Sequence, residues 1–139
     1  MARFVRLASG FRATLLAAGT LTFIAAAAQA AGGSGPGAGN AAKGAVVFQR
    51  CAMCHNTNKD GGNGLGPNLF GVAGRKAAAL PNFPYSTALK NSGMKWTDDK
   101  LKAWVSGPSR LVPGNRMMFA GLSDKQQIDD LIAYLHTRK

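Results

Sequence analysis

The chain has two cysteines and two histidines among its 139 residues, and three of these four stand together as Cys51-Ala52-Met53-Cys54-His55. On a helix, Cys51 and Cys54 are three residues apart and His55 is four from Cys51, so all three share one face. C-x-x-C-H is the spacing of a c-type haem attachment site. Two thiols on one face can add to the two vinyl groups of one haem, giving two thioether bonds, and the adjacent imidazole then sits under the iron as an axial ligand. A redox dithiol or half of a zinc site also uses C-x-x-C. A dithiol has no need of the following histidine, and a zinc site needs a second ligand pair, which the chain lacks.

A second axial ligand decides what such a haem could do. His136 is the obvious second histidine, but it lies near the C-terminus, where a polar side chain is more often solvated than ligating. The better candidate is Val112-Pro113-Gly114-Asn115-Arg116-Met117-Met118-Phe119, a Pro/Gly-ordered loop with two methionines off any helical stripe. A thioether is a soft ligand suited to haem iron, and His/Met ligation raises the reduction potential. Spacing alone does not choose between Met117 and Met118.

The elements that must position these residues read as helices. Residues 41–55 form the first, with Asn40 as cap and Val47, Phe48, Cys51 and Cys54 as its apolar stripe. Residues 56–85 are a long Gly- and Pro-rich loop, a length that needs a functional reason in a compact domain. Packing against a haem supplies one. A short helix is expected over 86–91 and a longer one over 98–106, with Thr97 as cap, Asp98 and Asp99 in the first turn and Gly107-Pro108 as the stop. Ser123 with Gln126 reads as a capping box opening the last helix, whose Ile128, Leu131, Ile132 and Leu135 make the clearest stripe. No alternating run argues for a sheet. The fold class is therefore all-α, a few helices with long loops around one covalently bound haem.

Residues 1–30 look like a secretory signal: Arg3, Arg6 and Arg12 precede the uncharged run 13–28, and Ala28-Gln29-Ala30 fits a cleavage site. An uncleaved membrane anchor is the alternative. Cleavage after Ala30 removes three arginines and no acids, which lowers the formal charge from +11 to +8. Residues 31–41 read as a flexible Gly-rich linker, and 42–139 as the folded domain. The basic balance points to an acidic partner or an anionic surface. No nucleic-acid-binding signature is present.

Five pieces in order, CAMCH, GPNLFGVAGRK, the 85–96 stretch, PGNRMMFAG and DDLIAYL, make residues 42–139 resemble class I c-type cytochromes of the bacterial cytochrome c2 and mitochondrial type. The resemblance implies the small cytochrome c fold and one haem c held through Cys51 and Cys54. It implies His55 and Met117 on the iron, with Met118 a neighbour. Pro67 resembles the proline whose carbonyl accepts the second imidazole proton. Arg75, Tyr85 and Trp96 resemble residues around the haem propionates, and Phe119 the aromatic that shields the haem beside the methionine. Tyr134 and Leu131 resemble the last-helix residues that cross the first helix. Leu89 stands where many relatives have Asn, Trp104 where many have Tyr, and Phe70 where some have His.

The implied function is one-electron transport in the periplasm between respiratory or photosynthetic membrane complexes. Partners would be a bc1-type donor and an oxidase or reaction-centre acceptor, met by a monomer through acidic docking sites. Arg50, Arg110, Arg116 and Lys125 match positions that ring the haem edge, while Ser109 and Asp124 replace lysines there. A six-coordinate haem offers no substrate position, and with six Asp and no Glu there are few candidates for acid/base catalysis. The competing reading is the haem subunit of a periplasmic dehydrogenase, or a peroxidase-type enzyme.

Overall fold

A computed structural model describes residues 38–139, and the leader and the first part of the linker lie outside them. Five helices are described in this order: α1 (Ala41–Ala52), α2 (Thr87–Asn91), α3 (Asp98–Ser106), α4 (Pro108–Leu111) and α5 (Lys125–His136). There is no strand among the described residues, only one antiparallel bridge between Lys76 and Lys95. No described helix is long and apolar enough to cross a membrane.

α1 begins where Asn40, in extended conformation, turns its side chain back to accept a hydrogen bond from the Lys43 amide at 3.0 Å. Such a cap is worth about 1 kcal/mol. The N-terminal turn has no acidic residue of its own. The buried Asp130 of α5 supplies one, since its Oδ1 accepts from the Asn40 amide at 2.7 Å and from Gln126 Nε2 at 2.9 Å. A carboxylate there satisfies an orphan donor and complements the helix dipole. Gly39 lies so close to the Asp129 carbonyl that no side chain fits. The linker expected over 31–41 therefore ends earlier than its composition suggests, because Gly39 and Asn40 are packed and bonded onto α5 and Ala41 is already helical.

α1 and α5 pack face to face through Gly44, Phe48, Leu131 and Tyr134. A Cβ on Gly44 would stand 2.7 Å from the Tyr134 Cβ and overlap the Asp130 carbonyl. The Phe48 and Tyr134 rings lie 5.1 Å apart, and Leu131 is only 1% exposed. Burying one leucine in this way contributes roughly 2 kcal/mol. α3 joins this pair by its Leu101, Trp104 and Val105 face, by the Lys102–Asp129 ion pair to α5 at 2.6 Å and by a hydrogen bond between Asp98 and His136 at 2.8 Å.

α3 ends at Ser106 with Gly107 as its cap, as expected, and Pro108 also opens α4, where a missing amide costs nothing. Two local expectations are corrected. Asp124, and not Ser123, caps α5, accepting from the Gln127 amide at 3.0 Å. α1 ends at Ala52, three residues before His55.

The loop from 56 to 85 replaces a second layer of helices with a polar lattice. Buried Asn68 donates to the carbonyls of Asn58 and Gly61 and accepts from the Phe70 amide at 2.7 Å. Its own amide donates to Asn63 Oδ1 at 2.9 Å. Arg75 then donates to the carbonyls of Phe70 at 2.8 Å and Asn68 at 2.9 Å. One asparagine and one arginine thus hold a chain segment that has almost no regular structure.

Candidate haem site

Cys51 sits in the last turn of α1, half-buried against the core. Beyond Ala52 the chain tightens: the amides of Cys54, at 3.0 Å, and His55, at 2.9 Å, both donate to the Cys51 carbonyl. The motif is thus one helical turn continued by hydrogen bonding past the end of the regular helix. Both thiols are free and partly accessible. Burial pushes the Cys51 thiol above its ordinary range, and the Arg50 charge works against that shift.

His55 is held on both sides. Its Nδ1 lies 2.7 Å from the Pro67 carbonyl. A carbonyl only accepts, so Nδ1 carries the proton and Nε2 keeps its lone pair. Burial lowers the basicity of the ring, opposed by the Pro67 bond, and this favours the neutral imidazole that a metal requires. Gly66 backs the ring so closely that a Cβ would overlap it, at 2.6 Å from Nδ1, and the Gly66 amide donates to the Cys54 carbonyl at 2.8 Å. The Gly-Pro step therefore sets both the orientation and the tautomer of the imidazole.

The two methionines left open by spacing differ sharply. Met117 is half-buried and packed against the core, whereas Met118 is 98% exposed. The inward turn follows from local chemistry. Gly114, at φ 81°, allows the bend after Pro113. Asn115 then donates from Nδ2 to the Val112 carbonyl at 2.9 Å and accepts the Met117 amide on Oδ1 at 2.8 Å. Phe119, also half-buried, donates its amide to the Met117 carbonyl at 3.0 Å.

Tyr85 and Trp96 are buried, and the Trp96 amide donates to the Arg75 carbonyl at 2.8 Å. Burial raises the Tyr85 hydroxyl above its ordinary range, opposed by a hydrogen bond with the Leu80 backbone and by the Arg75 charge. Burial likewise lowers Arg75, opposed by Tyr85. Leu89 is buried, and Trp104 packs on Trp96 with ring centroids 5.2 Å apart, so these two departures make their surroundings apolar. His136 is more than a third exposed and bonded to Asp98, far from a ligand's environment.

These residues fit a haem. Two partly accessible thiols stand at the right spacing beside an imidazole whose tautomer is fixed, and Cys51, the inward Met117 thioether and the buried aromatics border one core cluster. Sequence reasoning missed Asn115, Gly66 and Asn68, which position this set. Asn115 had a local signal, a short polar side chain in a Pro-Gly turn. Gly66 and Asn68 had none, since their neighbours come from elsewhere in the fold.

The comparisons with known proteins agree. A family model described as cytochrome c matches residues 41–139. A cytochrome c of Gibberella zeae is 44% identical over 98 residues, covering 70% of this chain and 92% of that protein. A cytochrome c2 of Agrobacterium tumefaciens is 41% identical over 100 residues, covering 70% of this chain and 90% of that protein. The solved structure of cytochrome cH from Methylobacterium extorquens matches with a TM-score of 0.67 and 46% identity, over 71% of this chain and 99% of that one. With the attachment pair Cys51 and Cys54 in place for one covalent haem c, the chain belongs to the cytochrome c family.

Proposed function

We propose that this haem electron carrier is a soluble, monomeric protein of the periplasm, with His55 and Met117 as the axial ligands of its iron. The opposite burial of Met117 and Met118 carries the reading, together with the Pro67 bond that leaves His55 Nε2 available. The bound haem supplies a one-electron Fe(III)/Fe(II) cycle. The chain would hold both ligands in each oxidation state and would keep water out with Trp96, Trp104, Leu89 and Phe119. Arg75, Tyr85 and Trp96 would hold the propionates. Asp129 and Asp130, the buried carboxylates among the described residues, are engaged with Lys102, Asn40 and Gln126, which speaks for transport over acid/base catalysis.

Arg50, Arg110, Arg116 and Lys125 are all exposed. Met53, Leu65 and Met118 are 83%, 86% and 98% exposed. Met53 and Met118 adjoin Cys54 and Met117 in the chain, and the amide next to Leu65 is bonded to Cys54. Arg50 and Arg116 adjoin Cys51 and Met117 in the chain. This combination suits a partner with an acidic docking face, such as a bc1-type donor and an oxidase or reaction-centre acceptor on the membrane. Electrostatic steering then sets the encounter rate. Stopped-flow electron transfer with such a complex should slow by about tenfold between low and physiological ionic strength. A rate that ignores salt would overturn the steering.

Residues 1–30 serve as an export signal in this reading. Intact-mass measurement of the exported protein should place its first residue at Ala31; a retained Met1 would make the leader an anchor instead.

A further inference from the structure

We propose that Lys76 and Lys95 form a binding site for a phosphate dianion. The two residues face each other across the one antiparallel bridge among the described residues. The flanking bonds run from the Trp96 amide to the Arg75 carbonyl and from the Ala77 amide to the Met94 carbonyl, both at 2.8 Å. That pattern makes Lys76 and Lys95 a non-hydrogen-bonded pair, the register in which opposed residues come closest, with Cα atoms about 4.5 Å apart. Their neighbours alternate inward: Arg75 bonds to the carbonyls of Phe70 and Asn68, Ala77 and Trp96 are buried, and Met94 packs on the core. Lys76 and Lys95 therefore leave on the same outer side, and both are exposed.

Like charges directly opposed across a strand pair destabilise it. No relief is provided from within, because among the described residues no carboxylate pairs with either lysine: Asp129 is taken by Lys102, and Asp98 is bonded to His136. Strand pairing fixes the two stems side by side, so their ammonium groups can converge on one small anion without further ordering of the backbone. A group with two negative charges and three or more acceptor oxygens matches two ammonium donors better than chloride or a single carboxylate does. Two such charge-assisted contacts give a dissociation constant on the order of 10 mM. The chemistry is shared by free phosphate and by a phosphate monoester headgroup. The site rests on the bridge alone and is independent of the iron ligands proposed above.

The test is an NMR titration of the holoprotein with inorganic phosphate above neutral pH, against sodium chloride at matched ionic strength. The lysine side-chain resonances of residues 76 and 95 should shift saturably with phosphate and hardly at all with chloride. Lys76→Gln and Lys95→Gln should each weaken binding by about tenfold. Lys95→Glu should abolish binding and raise the melting temperature in chloride by about 1–3 °C, since it turns a repulsion into an attraction. Equal shifts with chloride, or phosphate binding that survives both glutamine variants, would overturn the site. Phosphatidylcholine vesicles with and without phosphatidic acid separate the two sources. Binding of the phosphatidic acid vesicles that falls on Lys76→Gln assigns a headgroup, and vesicle binding indifferent to that change, alongside saturable free phosphate binding, assigns a soluble ligand.

Discussion

Replacing Met117 by alanine should lower the reduction potential by roughly a few tenths of a volt, within the ~0.8 V range that axial ligands command. The same variant should lose the thioether-to-iron absorption of the oxidised protein and gain ready binding of carbon monoxide in the reduced protein. The fold should survive, because Met117 is only half-buried. Truncating a fully buried methionine costs about 2–5 kcal/mol, and partial exposure puts this site at the low end. Met118→Ala is the internal control. Its side chain is 98% exposed, so potential, spectrum and ligand binding should remain those of the parent. If Met118→Ala changed the spectrum and Met117→Ala did not, the assignment of the second ligand would be reversed.

Gly44→Ala should be a strongly damaging small substitution for stability. A methyl group there overlaps the Asp130 carbonyl and stands 2.7 Å from the Tyr134 Cβ. The first of these is backbone in the middle of α5, so relief requires the two helices to separate. Overpacking of this kind costs about 3 kcal/mol, and the better helix propensity of alanine returns about 1 kcal/mol. A net loss of about 2 kcal/mol in a domain of this size lowers the melting temperature by roughly 8–16 °C. Thermal unfolding of the holoprotein followed by far-ultraviolet circular dichroism reads it directly. An unchanged or raised midpoint would mean that α1 and α5 do not meet at Gly44.

The two substitutions mark what was and was not legible in the sequence. The helices could be read because their signals are local. Asn40 and Thr97 cap as their residue types suggest, and the stripe Ile128, Leu131, Ile132 and Leu135 is buried along its whole length. The attachment motif was legible for the same reason, since its three members lie within five residues. Gly107-Pro108 ends α3 as its residue types suggest, while the four-residue α4 that Pro108 opens gave no signal of its own. Ser123 misled because Asp124 beside it is an equally good cap. Gly44, Gly66 and Asn68 were silent. The meaning of each lies in a neighbour that the chain reaches by a turn elsewhere: Tyr134 for Gly44, His55 for Gly66, Asn58 for Asn68.

The bond from the Asn40 amide to Asp130 spans 90 residues of sequence. Closing a loop of that length costs about 4 kcal/mol of chain entropy before any contact rewards it. A chain made from its amino end cannot recover this until its last dozen residues exist, so the first helix has no lasting partner during synthesis. Cys51 lies in the last turn of that helix and Cys54 just beyond it. The carboxyl-terminal helix is therefore what anchors the segment that carries both thiols, and a truncation within α5 would leave that segment without its partner.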